Sequence, residues 1–166
     1  YNWTTKTVFN KNYLYLNALQ ISGNTIWTAG NNIFKSNNEG IDWIRVTEGF
    51  YETNQGLVVF PGINSLYISG TNGFFAKSTN GGNNWTEYPV LNSENLVGMY
   101  FHNPSTGWAA SFGGVYKTTN SGTNWILSIV PDQQFIKPFF INENTGWITS
   151  YRPNSVFKTT NGGVNW

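Results

Sequence analysis

One phrase recurs four times in this chain, and its spacing constrains the fold more than any other feature. It reads Ser or Thr, any residue, Asn, any residue, Gly, any residue, Asn or Asp, then Trp, and it runs from Ser36 to Trp43, Ser78 to Trp85, Thr118 to Trp125 and Thr159 to Trp166. The closing tryptophans are 42, 40 and 41 residues apart, and Trp3, preceded by Asn2, stands 40 residues before Trp43. A second landmark keeps step, because Trp27, Tyr67, Trp108 and Trp147 are separated by 40, 41 and 39 residues. A third is a lysine directly before the hydroxyl residue of every copy, Lys35, Lys77, Lys117 and Lys158. Phased landmarks of this kind define a repeat architecture, in which one supersecondary unit buries its apolar face against the next. The periods run approximately over 4–43, 44–85, 86–125 and 126–166, and together they form one domain.

Each period reads as four short strands. In the third, Leu96 to Phe101 is apolar, 103–107 is a turn, and Trp108 to Ser111 is a second strand. After Phe112-Gly113-Gly114, Val115 to Thr118 alternates apolar and polar, the Asn-Gly phrase makes a hairpin, and Trp125 to Val130 is a fourth strand before Pro131. Four strands in about 40 residues is the size of one propeller blade, and the absence of a sustained helical period excludes a helical solenoid. The expected fold is therefore all-β, a β-propeller of four-stranded antiparallel blades with about four blades covered.

The phrase has a physical rationale. A Ser or Thr hydroxyl and an Asn side chain bond nearby backbone groups and mimic a turn, while Gly40, Gly82, Gly122 and Gly163 supply positive φ. The Trp anchors the returning strand, and its indole N–H is expected to find an acceptor. Each phrase is thus read as a hairpin clip.

At these residues the chain resembles the Asp-box, or BNR, repeat family, whose motif runs Ser-x-Asp-x-Gly-x-x-Trp. Asn replaces the eponymous Asp in all four copies, which keeps the turn-forming carbonyl and drops the charge. The form Lys-Thr-Thr-Asn-Gly-Gly-x-Asn-Trp is similar to propellers of the photosystem II stability and assembly factor family and to relatives in secreted bacterial proteins. The resemblance implies that the box lies between the third and fourth strands of a blade, away from any active site. Ser36, Asn38, Gly40, Trp43, Ser78, Asn80, Gly82, Trp85, Thr118, Asn120, Gly122, Trp125, Thr159, Asn161, Gly163 and Trp166 are then structural. It also implies a window from a larger propeller, since relatives usually have six or more blades. Residues 1–9 read as a fourth strand that could otherwise close a four-bladed ring against 156–159, and the open edges call for further blades or a neighbouring copy.

Composition narrows the function. Seven Lys and two Arg face eight carboxylates for a net charge of +1, with only 10% charged residues, so no electrostatic footprint for nucleic acid exists. No apolar run is long enough to insert into a bilayer. There is no Cys and one His, His102, so zinc ligation lacks ligands, and no cofactor or metal is expected. Arg45 and Arg152 are two, whereas sialidase chemistry clamps a carboxylate with three arginines. Glu39 and Asp42 fall inside a box and read as turn residues, and no Gly-x-Ser-x-Gly elbow is present.

Binding is expected in the loops at the ring openings. Tyr13, Tyr51, Glu52, Asn54, Glu94, Asn95, Gln133 and Gln134 fall at equivalent positions in successive periods, where amides beside aromatics suit peptide or sugar recognition. The alternative is that these are ordinary surface loops. The expected function is a non-enzymatic scaffold or interaction module of a secreted or cell-surface bacterial protein, with an unidentified protein or glycan partner. The rival is a sialidase-like or xyloglucanase-like glycoside hydrolase with its catalytic residues mostly in other blades. An assembly factor for a membrane complex would call for a basic patch.

Overall fold

The computed structural model describes residues 16–46, 54–60, 64–89, 94–128, 134–152 and 154–166, with 54–60 defined by backbone alone. They form four antiparallel sheets in chain order. The first sheet is β1 (Leu16–Ser22), β2 (Thr25–Gly30), β3 (Ile33–Ser36) and β4 (Ile44–Arg45). The second is β5 (Asn54–Phe60), β6 (Ser65–Gly70), β7 (Phe74–Ser78) and β8 (Thr86–Pro89). The third is β9 (Leu96–Phe101), β10 (Gly107–Ser111), β11 (Val115–Thr118) and β12 (Ile126–Ser128). The fourth is β13 (Phe135–Phe140), β14 (Gly146–Ser150) and β15 (Ser155–Thr159). Strands pair in sequence order within every sheet, so each sheet is a meander made of hairpins. Among the described residues a single 3₁₀ turn, Thr71–Gly73, accompanies the strands. Residues 1–9, with their expected strand, lie outside the described residues.

The period-two alternation of side chains gives each sheet two faces with different duties. On the leading face of the third sheet stand Trp108, Ala110, Val115 and Lys117, and on its trailing face Gly107, Ala109, Tyr116 and Thr118, as the register Trp108↔Lys117 and Ala109↔Tyr116 requires. The leading face of one sheet packs on the trailing face of the next. Trp27, Ala29 and Ile33 meet Leu66, Ile68 and Ala76; Tyr67 and Phe75 meet Leu96, Phe101 and Ala109; Trp108 and Val115 meet Phe135, Phe140 and Ile148. The core is therefore a series of inter-sheet layers. A sheet cannot be stable by itself, because half of its apolar surface belongs to each neighbour.

Stacked rings define each junction. Tyr67 lies on Phe101 with centroids 4.2 Å apart, and Trp108 lies on Phe140 at 3.5 Å and 10°. Such pairs add about 0.5–1.5 kcal/mol beyond the area they bury. Gly107 and Gly146 make the stacks possible, since a Cβ at either position would enter the ring of its cross-strand partner, Phe101 or Phe140. Innermost strands β1, β5, β9 and β13 contact one another in order, and among the described residues no comparable contact joins β13 back to β1. The four sheets form an open arc of a propeller.

Candidate functional site

The four boxes form the same turn after the third strand of each sheet with one set of hydrogen bonds, and in the first three sheets that turn closes a hairpin onto a fourth strand. Thr118 Oγ1 accepts the backbone N–H of Gly122 at 2.9 Å and that of Asn120 at 3.3 Å, while its hydroxyl donates to Asn120 Oδ1 at 3.0 Å. Asn120 Oδ1 also accepts the N–H of Asn124 at 2.9 Å. Ser36, Ser78 and Thr159 repeat the pattern with Asn38, Asn80 and Asn161. The Asn carbonyl alone does the accepting, which explains why the missing charge of an Asp leaves the loop intact. In the first copy Asn38 Nδ2 additionally donates to Asp42 Oδ2 at 2.9 Å.

Gly40, Gly82, Gly122 and Gly163 have φ between +82° and +88°, as the turn requires. The residue before each is left-handed as well, namely Glu39, Gly81, Ser121 and Gly162 at φ +58° to +69°. That second position was not visible in the sequence, because its residue type varies between copies. The expectation for the indoles needs correction. Trp43 and Trp85 donate to the carbonyls of Gly40 and Gly82 at 3.1 and 3.0 Å, but Nε1 of Trp125 and of Trp166 is buried with no acceptor. These two rings are held by edge-to-face packing instead, Trp125 on Phe75 and Phe101, Trp166 on Phe140.

The other two landmarks prove to be one device. Each lysine is the cross-strand partner of its aromatic residue, in the pairs Trp27↔Lys35, Tyr67↔Lys77, Trp108↔Lys117 and Trp147↔Lys158. Its ammonium stands over that ring at 4.8, 5.6, 5.3 and 5.6 Å. Burial lowers the pKa of Lys77. The aromatic residue in turn reaches the next repeat. Trp108 Nε1 donates to the carbonyl of Gly162, inside the fourth box, at 3.0 Å, and the Tyr67 hydroxyl donates to Pro104 of the third repeat at 2.7 Å. At the same junctions Tyr100 donates to Phe140 O at 2.6 Å and Asn103 to Glu143 Oε1 at 2.8 Å. Burial raises the pKa of Tyr67 and of Tyr100. The fourth box thus acts as a latch between sheets as well as a clip after its own strand.

Backbone bonds from the boxes fix which loops share an end of the arc. Glu39, Gly81, Ser121 and Gly162 donate their N–H groups to Asn24, Asn64, Ser105 and Asn144, in the turn joining the first two strands of their sheets. His102, exposed and bonded through its N–H to Thr106 O, lies at this box end. The opposite end carries the chain entries into β9 and β13 and the turns at 112–114 and 151–152. Arg45 is on the outermost strand β4 of the first sheet and Arg152 in the turn after β14, so they sit in different sheets.

Of the expected loop residues, Tyr13, Tyr51, Glu52 and Gln133 lie outside the described residues, and Asn54 opens β5, its backbone paired with Gly70. Glu94, Asn95 and Gln134 are placed at the end opposite the boxes. Glu94 is tied into the fold rather than free in a loop, because its Oε2 accepts the hydroxyls of Ser111 at 2.5 Å and Tyr116 at 3.3 Å, and its carbonyl accepts Gly73 N–H at 2.6 Å. The carboxylate lies against Gly113, where a Cβ would collide with it. Burial, followed by the Glu94 charge, raises the pKa of Tyr116. Asn95 Oδ1 accepts the N–H of Asn72 of the preceding sheet at 3.0 Å, leaving its amide exposed. Gln134 joins the 151–152 turn through backbone bonds to Tyr151 and Arg152.

Phe112 and Tyr151, both exposed, are the aromatic residues that sequence reasoning missed at this end. Each stands four residues after a second-landmark tryptophan, an offset that would have marked them as turn residues. Arg152 rests over the Tyr151 ring at 5.7 Å. Among the described residues no three His, Cys, Asp or Glu gather as a metal site.

No protein family and no curated protein matches this chain. Solved structures do match its fold. An ancestral GH74 enzyme is 22% identical with TM-score 0.76 over 91% of this chain and 23% of its own. YCF48 bound to D1 peptide is 18% identical with TM-score 0.74 over 99% of this chain and 56% of its own. The extracellular domain of a two-component system from B. thetaiotaomicron is 9% identical with TM-score 0.69, over 87% of this chain and 21% of its own. The chain is a β-propeller segment that spans less than two thirds of these proteins.

Proposed function

We propose that this chain is an Asp-box interaction module of the photosystem II assembly factor type, in a secreted or cell-surface bacterial protein. It is non-enzymatic and takes a protein segment on the end opposite its boxes. The observation that carries the reading is the combination at that end of exposed Phe112 and Tyr151 with the amides of Asn95 and Gln134. Aromatic faces offer apolar contact, and amides donate and accept hydrogen bonds at once. Glu94, held by Ser111 and Tyr116, adds a fixed negative charge. The likeness to a propeller with a bound peptide supports a protein ligand, and the likeness to a bacterial extracellular domain supports the location.

The likeness to a GH74 enzyme favours a second reading, a glycoside hydrolase whose acids lie mostly elsewhere. Paired-carboxylate hydrolysis needs two acids about 5–10 Å apart. Among the described residues Glu94 is the one carboxylate in these loops, and it is engaged in hydrogen bonds. Peptide and glycan arrays probed in parallel with the chain and with the Phe112→Ala/Tyr151→Ala double variant test the proposal. Peptide signal that the double variant loses supports it. Signal confined to glycans, or release of reducing ends from xyloglucan, overturns it in favour of a sugar-directed role.

A further inference from the structure

At the end opposite the boxes the third sheet holds one carboxylate in a prepared position. The Oγ of Ser111, a buried residue, accepts the backbone N–H groups of Gly113 at 3.0 Å and Gly114 at 3.1 Å. Its hydroxyl donates to Glu94 Oε2 at 2.5 Å, with Gly114 O the more distant acceptor at 3.2 Å. Buried Tyr116 brings a second hydroxyl to the same carboxylate oxygen at 3.3 Å. Residue 113 has no side chain here, and a Cβ would occupy the place of the Glu94 carboxyl group. Glu94 is thus fixed by the fold before any ligand arrives, which lowers the ordering cost of binding.

One oxygen of the two carries these bonds. A carboxylate offers about four lone-pair sites, so the two hydroxyls occupy Oε2 and leave Oε1 outside the network. Among the described residues no ammonium or guanidinium pairs with Glu94. The repeat lysines stand directly before the boxes, and Arg152, which shares the end of Glu94, rests over the Tyr151 ring in the next sheet. A structural tie to Ser111 and Tyr116 needs an acceptor oxygen, which Gln would supply equally, whereas the charge has no partner within the fold. Glu94 is half-buried, and Phe112, 51% exposed, stands between Ser111, which holds the carboxylate, and Gly113, which abuts it.

We infer that Glu94 and Phe112 receive a lysine side chain of the bound protein segment, its ammonium on Oε1 and its methylene stem along the aromatic ring. The inference rests on the reading of this end as a protein-binding surface and names the residue that the surface selects. One free oxygen suits the point charge of an ammonium, while the planar fork of arginine is matched by two. An aromatic neighbour covers the apolar stem and attracts the cation at its head. A metal ion would lack ligands, since no three His, Cys, Asp or Glu gather among the described residues.

An array of N-terminally acetylated peptides tests this, probed with the chain, with Glu94→Gln and with Phe112→Ala/Tyr151→Ala. Every bound peptide that contains lysine is presented again with that residue as acetyl-lysine and as arginine. Bound peptides are expected to be rich in lysine, with acetylation weakening them by about tenfold or more and arginine binding less well than lysine. Glu94→Gln should bring the lysine peptides down to the level of their acetylated forms. Gln keeps an acceptor for both hydroxyls, so an unchanged urea midpoint assigns that loss to charge, and the acetylation arm needs no variant at all. Peptide signal that the double aromatic variant loses, but that ignores acetylation and Glu94→Gln or favours arginine, overturns this inference and leaves the protein-binding reading in place. Absence of any peptide signal overturns both.

Discussion

Replacing Thr118 by Val removes one hydroxyl and leaves the shape of the side chain almost unchanged. Thr118 is 1% exposed, and its Oγ1 is the acceptor for the buried Gly122 N–H and the donor to Asn120. An orphaned buried N–H costs about 1–3 kcal/mol, and the lost donation to Asn120 adds about 1 kcal/mol, so the third box weakens by about 2–4 kcal/mol. At about 2–4 °C per kcal/mol for a chain of this size, the melting temperature falls by roughly 5–15 °C. Thr118→Ser is the control, because it keeps the oxygen and loses one methyl, worth about 1 kcal/mol. Urea unfolding followed by tryptophan fluorescence reports both, with the transition slope checked for constancy. If the Val variant proves as stable as the Ser variant, the hydroxyl is not what holds the loop.

Three further outcomes follow from the same contacts. Gly122→Ala places a Cβ in the Phe75 ring at a φ of +82°, and is expected to cost about 2–4 kcal/mol by chemical denaturation. Trp108→Phe loses the bond to Gly162 and part of a fully buried ring, costing about 2–3 kcal/mol, whereas Trp147→Phe at a half-buried ring costs under about 1 kcal/mol. Burial raises the folded-state pKa of Tyr67, Tyr100 and Tyr116 above the unfolded value of about 10, so their contribution is complete below pH ~10 and is lost as pH rises through the folded values. Lys77, lowered by burial, acts in the opposite sense over its own window and offsets part of that loss. An alkaline stability profile of Tyr100→Phe should decline less steeply than the parent, and equal slopes would contradict the assignment.

How much of this was legible in the sequence depends on the range of the interaction. The strands expected at Leu96 to Phe101 and Val115 to Thr118 coincide with β9 and β11, because alternation and turn residues act locally. Box glycines with positive φ were legible for the same reason. The partnership of each lysine with its aromatic residue was not. Both landmarks were visible as phases, but a phase gives a position within the repeat and not the neighbour across the strand. Inter-sheet contacts were hidden more deeply still, since Trp108 and Gly162 belong to different copies. The unpartnered indoles of Trp125 and Trp166 show the same limit: identical residues in identical phrases meet different rings. Glu94 looked like a loop acid because its tie to Ser111 and Tyr116 arises only once β9, β10 and β11 assemble.

Hydrogen exchange at the indole N–H groups of ¹⁵N-tryptophan-labelled protein reads the latch itself. Trp108, buried and bonded to the box of the following repeat, should exchange slowly, and its phase-mate Trp147, with no box across it among the described residues, should exchange fast. Equal, rapid exchange at both positions would mean that the sheets do not lock onto their neighbours through these tryptophans.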